Sequence, residues 1–228
     1  MTGANVKHCV AKYRDRELVS LKSARGADFI KIPTMLDLPE QFLTLQTPRL
    51  ILRKLEITDA ADIFAYAHDP QVSTYTLWEA HQSINETYEY LNNFVFKMYR
   101  NGTGMTWGIV EKGSSKLIGT CGLHVTPVHR RAELGYTLSR DYWGQGLMTE
   151  AVNVAIAFGF HVMHLLRVQA YCAVENISSA RVLEKSGMQF EGILHNYVFT
   201  KNRPWDVKMY AITRSHTSSS LDLFDLKL

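Results

Sequence analysis

Leu138-Ser139-Arg140-Asp141-Tyr142-Trp143-Gly144-Gln145-Gly146-Leu147-Met148-Thr149-Glu150-Ala151 reads as the end of a strand, a glycine-bearing turn and the start of a helix. Before it, Ala132 to Leu138 alternates, with Glu133, Gly135 and Thr137 on one face and Leu134, Tyr136 and Leu138 on the other. After it, Leu147 to His161 reads as a long apolar helix. In such a turn successive backbone N–H groups can point at one anion, and the free N–H groups and dipole of the helix start reinforce them. Gly144 and Gly146 admit a diphosphate with no Cβ in the way. The turn is not GxxxxGK[ST], which disfavours a nucleotide triphosphatase, and it lacks the third glycine of GxGxxG. Taken alone, GxG before a helix is a weak signal, and a structural turn is the better reading of it.

On the N-terminal side, Leu45 to Arg53 reads as a strand with Pro48 near its start. Thr58-Asp59 caps a helix carrying Ile63, Phe64 and Ala67, which Asp69-Pro70 closes. Ser83 and Glu86 have capping-box spacing, and Tyr88, Leu91, Val95 and Met98 supply the apolar face that follows. Met105 to Glu111 and Lys116 to His124 form an antiparallel pair around Lys112-Gly113-Ser114-Ser115. On the C-terminal side come a strand from Arg167 to Val174, a short helix opened by Asn176 and closed by Gly187, and strands near Met188 to Phe199 and Val207 to Thr213. Residues 1–44 read as an appendage with one short helix or strand, and the tail from His216 as loosely ordered.

The 228 residues are 46% hydrophobic and 21% charged, the composition of a globular chain with one substantial core. A formal charge of +3 has no concentrated basic face, so no nucleic-acid partner is expected, and His129-Arg130-Arg131 reads as a solvated loop. Cys9, Cys121 and Cys172 are odd in number and form no ligand pattern. Lys12, Arg14, Asp15, Arg16 and Glu17 interrupt any signal-peptide core, and the most apolar segment is too short to span a bilayer. The expectation is a cytoplasmic protein with free thiols and no membrane partner. His161 and His164 lack a third ligand of suitable spacing, so no metal is expected.

The turn Trp143-Gly144-Gln145-Gly146-Leu147-Met148 resembles the acyl-coenzyme A motif [R/Q]xxGx[G/A] of the GNAT acetyltransferase superfamily, with Trp143 and Met148 departing from its ends. The reading WGQG then TEA is similar to the branch of the ribosomal-protein N-acetyltransferases RimJ and RimL. Thr47–Arg53 (TPRLILR), Ile118–Leu123 (IGTCGL), Ala132–Tyr136 (AELGY) and Glu175–Met188 (ENISSARVLEKSGM) follow in the order that branch has them. The resemblance implies an α+β fold with a mixed, mostly antiparallel sheet, flanked by helices and splayed after the Ala132–Leu138 strand. It implies an N-acetyltransferase domain over 45–213, with a leader over 1–44 and a tail over 214–228.

By the same resemblance, acetyl-coenzyme A is the cosubstrate. Its pantetheine pairs with main-chain groups near Thr137 and Leu138, and its diphosphate sits on Gly144, Gln145, Gly146, Leu147, Met148 and Thr149. Asn176 contacts the coenzyme and Arg181 reaches its 3′-phosphate. Glu133 is the candidate base, against a bland alternative of pairing with Arg130 or Arg131. Ser179 is the candidate donor to the leaving sulfur, against a role in capping its helix. Met148 keeps the backbone donor and makes a tighter fit. His195, Tyr197 and Trp205 fall where such folds shape the acceptor pocket. Val198 stands where some relatives carry a second carboxylate, which favours direct attack by an amine that arrives deprotonated. The implied acceptor is a primary amine, on a protein, a peptide or a small molecule, and a polyamine is weakly disfavoured. The protein would be a monomer or homodimer. The alternatives are a coenzyme A-binding sensor and a nucleotide-binding protein.

Overall fold

The computed structural model describes residues 43–214, residues 37–38, and two short strands, β1 (Ser20–Lys22) and β2 (Asp28–Ile30), paired antiparallel. The main sheet holds β3 (Leu45–Gln46), β4 (Leu50–Lys54), β5 (Gly104–Glu111), β6 (Leu117–Thr126), β7 (Arg131–Leu138), β8 (Arg167–Ala173), β9 (Gln189–Thr200) and β10 (Arg203–Thr213). Its order is β3-β4-β5-β6-β7-β8-β10-β9, and every pairing is antiparallel except β7 with β8. The helices are α1 (Ala60–Ala67), α2 (Pro70–Ser73), α3 (Ile84–Tyr90), α4 (Phe96–Asn101), α5 (Leu147–His161) and α6 (Ile177–Lys185), with a π turn over Leu91–Val95 joining α3 to α4. This is the expected mixed, mostly antiparallel sheet flanked by helices.

The β7–β8 pairing decides the architecture. It runs through Arg131↔Arg167, Ala132↔Val168 and Glu133↔Gln169, and then stops. Beyond Glu133 the two strands diverge, so the far half of β7 has a partner only on its β6 side. On one face of the sheet α5 buries Ala151, Val152, Ala155, Ile156 and Phe158 against Leu123, Ala132 and Leu134. Trp107 and Phe158, both fully buried, meet edge to face with centroids 5.2 Å apart. A second cluster gathers Ile63 and Tyr66 of α1 with Leu91 and Val95 of the π turn.

Several expectations need correction. Asp69-Pro70 does not simply stop a helix: Asp69 Oδ1 accepts from Gln71 N–H at 2.9 Å and caps α2. The capping box at Ser83 is not made, because Glu86 Oε2 accepts from Gln82 N–H at 3.2 Å instead. Tyr88 is exposed, and Thr87 takes the buried position. The segment before Leu45 is not wholly an appendage: Leu38 and Leu43 belong to the main core, and the Trp107 indole donates to Leu43 O at 2.7 Å. Cys121 and Cys172 are buried free thiols. Cys9 and the tail beyond Arg214 lie outside the described residues. Among the described residues no helix is long and apolar enough to cross a membrane.

Candidate active site

The turn after β7 has the form the sequence suggests. Gly144 and Gly146 sit at φ 73° and 75°, the left-handed region that favours glycine. Gly146 is the N-cap of α5, and no side chain caps that end. The first N–H groups of α5 therefore face outward, in the part of the helix where the dipole favours an anion. The Gln145 side chain folds back to donate to Asp141 O at 3.1 Å. The Met148 side chain turns into the core, away from the turn, which corrects the expected tighter fit while its N–H keeps its place at the helix start.

A clamp absent from the sequence reading holds this turn. Glu150, in the first turn of α5, accepts from Thr47 Oγ1, from Arg49 N–H at 3.0 Å and from Arg49 Nε at 2.7 Å. Arg49 Nη1 also donates to Gln145 O at 2.9 Å. The TPRL segment and the TEA segment thus grip one another across about a hundred residues, and Arg49 stands beside Gly146. Burial pushes the Glu150 carboxyl up, but bonds from Thr47 and Arg49 outweigh it and hold the group below the usual glutamate range. Glu150→Gln is expected to cost roughly 1–3 kcal/mol, since Thr47 and Arg49 lose a charged acceptor, and to lower Tm by about 2–4 °C per kcal/mol. A depressed folded-state pKa gives stability that is present above the ordinary glutamate value and lost as pH falls through the folded one. The gap between wild type and variant in thermal melts should therefore be full at neutral pH and close under acid conditions.

The gap between β7 and β8 has a definable wall. Ser139 N–H donates to Ile118 O at 2.7 Å, in uninterrupted register with Thr137↔Thr120. Bonded and non-bonded pairs alternate along antiparallel strands. The main-chain groups of Glu133, Gly135 and Thr137 therefore turn to β6, and those of Leu134, Tyr136 and Leu138 turn to the gap. Leu166 N–H bonding Arg130 O at 2.7 Å fixes the same parity at the start of β7. Of the two expected wall residues only Leu138 qualifies, and its carbonyl already accepts from the Trp143 indole at 2.8 Å. Tyr136 takes the place expected of Thr137.

Across the gap, Asn176 Oδ1 accepts from Ser179 N–H at 3.0 Å, so Asn176 is the N-cap of α6. Ser179 Oγ lies 2.7 Å from the Tyr136 phenol oxygen, and the phenol also reaches Ser179 O at 3.1 Å. Cys172 is within hydrogen-bonding reach of the same serine. Burial pushes the Tyr136 phenol and the Cys172 thiol above their ordinary values, and the Cys121 thiol up to about 12. Arg181 is exposed on α6.

The opposite face of the sheet holds Glu133, half-buried, opposite His124 on β6 and Gln169 on β8, with Tyr171 beside it. The alternative in which Glu133 pairs with Arg130 or Arg131 is not what the structure shows. Arg130 Nη2 donates to His164 O at 2.8 Å, Arg131 is exposed, and Glu133 makes no ion pair among the described residues. Tyr197 packs edge to face on Tyr171 with centroids 5.5 Å apart, and His195 bonds Asp206 at 2.7 Å. Trp205 is buried rather than presented to the cleft. It meets Tyr75 edge to face, and the Arg203 guanidinium lies 3.6 Å over its ring. Lys201 donates to Ser73 O and Thr200 Oγ1 to Leu77 O at 3.0 Å, which binds the β9–β10 hairpin to the loop after α2. Beside the glycine turn, a cavity of about 330 Å³ lies between His68–Pro70 and Ser139–Asp141, where Arg140 pairs with Asp69 at 2.7 Å.

Comparison with known proteins gives a consistent picture. A family model described as an acetyltransferase (GNAT) domain matches residues 49–189. The uncharacterized N-acetyltransferase YoaA of Bacillus subtilis (strain 168) is 34% identical over 174 residues, covering 76% of this chain and 98% of that protein. The crystal structure of a spermidine N-acetyltransferase from Vibrio cholerae, in complex with CoA and spermine, is 26% identical at a TM-score of 0.64 and covers 74% of this chain and 98% of that chain. RimL, a ribosomal alpha-N-protein acetyltransferase in complex with coenzyme A, is similar in fold at a TM-score of 0.67 and 19% identity, covering 73% of this chain and 95% of that chain.

Proposed function

The chain belongs to the GNAT acetyltransferase family, and from that premise we propose that it moves acetyl from acetyl-coenzyme A to a primary amine by direct attack within a ternary complex. The observation that carries this reading is the end of the β7–β8 pairing at Glu133↔Gln169. It puts three elements around one opening: a strand edge with no β8 partner beyond the last bridge, a helix start with no side-chain cap, and a carboxylate with no ion pair among the described residues. A thioester with an amide-bearing arm and a diphosphate satisfies the first two. The coenzyme arm pairs with Tyr136 and Leu138, and the diphosphate rests on the N–H groups from Gln145 to Thr149. We take 45–213 as the catalytic domain, extended by the core contacts of Leu38 and Leu43.

The acceptor enters over the face that carries Glu133. The carboxylate takes a proton from the ammonium, directly or through a water, and the free amine attacks the thioester carbonyl. The C–S bond breaks, the sulfur leaves as a thiolate held by a hydrogen bond from the Ser179 hydroxyl, and the second proton on the attacking nitrogen passes to that thiolate as the amide forms. Behind Ser179 the Tyr136 phenol, kept protonated by burial, lies within hydrogen-bond distance of both Oγ and the Ser179 carbonyl and can donate its hydrogen to either. A covalent acyl-cysteine route is disfavoured because Cys172 is held in its thiol form. Thiol release from acetyl-coenzyme A over a panel of peptides, amino acids and polyamines tests the reading. Tight coenzyme binding without turnover on any acceptor would refute it.

Ser179→Ala is expected to lower kcat roughly ten- to 100-fold, the scale of one positioned proton donor. Tyr136→Phe should fall by less, since Ser179 remains. A wild-type rate for Ser179→Ala in single-turnover assays would leave that serine with no part in catalysis.

A further inference from the structure

Among the described residues, the face of the sheet that receives the acceptor is open at one end only. At its far end Thr120 lies under the phenols of Tyr66 and Tyr90, so α1 and α3 cover it. At the near end His124, Arg131 and Gly135 are exposed around Glu133. Arg131 and Glu133 are two residues apart on β7, so they share this face with a spacing of about 6.7 Å. Across the strand, Arg167 lies level with Arg131. Its charge is already met: Nη1 donates to Glu191 Oε1 at 2.7 Å, Nη2 donates to Glu191 Oε2, and Nε donates to Gln169 Oε1 at 3.0 Å. Arg131 has no ion pair among the described residues. The open floor therefore presents one carboxylate and one guanidinium that make no ion pair among the described residues, one strand repeat apart.

We propose that Arg131 selects the acceptor: an amine with a carboxylate close to its nitrogen, as in a peptide whose first or second residue is acidic. This rests on the reading that the amine is received at Glu133. An extended peptide repeats its same-face groups at the spacing of Arg131 and Glu133. With its ammonium on Glu133, the next such group lies over the guanidinium, whose planar fork suits a carboxylate. A polyamine placed the same way brings a second ammonium onto Arg131, a like-charge contact that acts against it.

The test uses the full chain, acetyl-coenzyme A and thiol release. The acceptors are hexapeptides that differ only in having Asp, Ala or Lys at the second position, with free aspartate and spermidine as separate arms. The acidic peptide should exceed the lysine peptide in kcat/KM by roughly five- to tenfold, chiefly through KM. Raising the ionic strength should shrink the difference. Arg131→Glu, a change at an exposed position, should invert the order, and Arg131→Lys should preserve it. Free aspartate outrunning every peptide would place the carboxylate on a small molecule and overturn the peptide assignment. Equal kcat/KM across the charge series, or an order unmoved by Arg131→Glu, would overturn the inference and leave acetyl transfer standing. Coenzyme binding with no turnover on any arm would overturn the transfer reading itself.

Discussion

Gly146→Val is expected to weaken coenzyme A binding about 100-fold or more, the loss of one or two charge-assisted hydrogen bonds at roughly 1.5–3 kcal/mol each. Two effects combine. At φ 75° a side chain is strained, and a β-branched one most of all. The valine would also set methyl groups where the uncapped N–H groups of α5 open. Within the protein a Cβ here meets only Arg49 Nη2 at 3.7 Å, so the substitution has room in the fold itself. The cost to folding should accordingly stay near the backbone strain of about 1–3 kcal/mol. Calorimetric titration separates the two effects. Coenzyme A should lose affinity, whereas an S-acetylated pantetheine fragment without the diphosphate should bind variant and wild type alike. A coenzyme A Kd unchanged in a folded variant would remove the α5 N-terminus as the anion site.

The contrast between what was legible in the sequence and what was not follows from distance along the chain. The bounds of α5 are plain because Gly146 and the apolar run act locally, and the same holds for Asn176 and Gly187 around α6. Local signals fail where two groups compete for one partner. Glu86 has capping-box spacing to Ser83, yet the N–H of Gln82 takes it. Asp69 before Pro70 marks a helix end and serves equally well as the cap of the next helix. The pairs that build the site, Arg49 with Glu150 and Tyr136 with Ser179, are separated by 101 and 43 residues. No spacing rule connects them. Each stood in a stretch the family resemblance picks out, without any sign that it grips another. Thr137 is the finer lesson. Side-chain alternation is readable in the sequence, but which edge a residue's main chain serves depends on the register with β6, which a single bond from Ser139 reveals.

Glu133→Gln should lower kcat at neutral pH by about tenfold, since about one-tenth of an α-amine with a pKa near 8 is already free at pH 7, with coenzyme affinity changed less than about twofold because no diphosphate contact is touched. The glutamine keeps the size of the side chain and its place beside Gln169 and Tyr171, so a loss of rate reports on proton removal and not on the shape of the cleft. The pH profile carries the sharper prediction. A peptide α-amine has a pKa near 8, so at neutral pH most acceptor molecules arrive as ammonium and need a base. As pH rises through that value, the free amine supplies itself and the carboxylate becomes dispensable. The rate of the variant should then climb about tenfold per pH unit up to the amine pKa and approach wild type above it. Val198 offers no second carboxylate at that strand position to take over the proton, so the deficit of the variant should be visible at neutral pH. Turnover equal to wild type at every pH would remove Glu133 from the reaction. A constant deficit across the range would keep Glu133 in the site as a group that holds the amine in place, and would assign the proton to another acceptor.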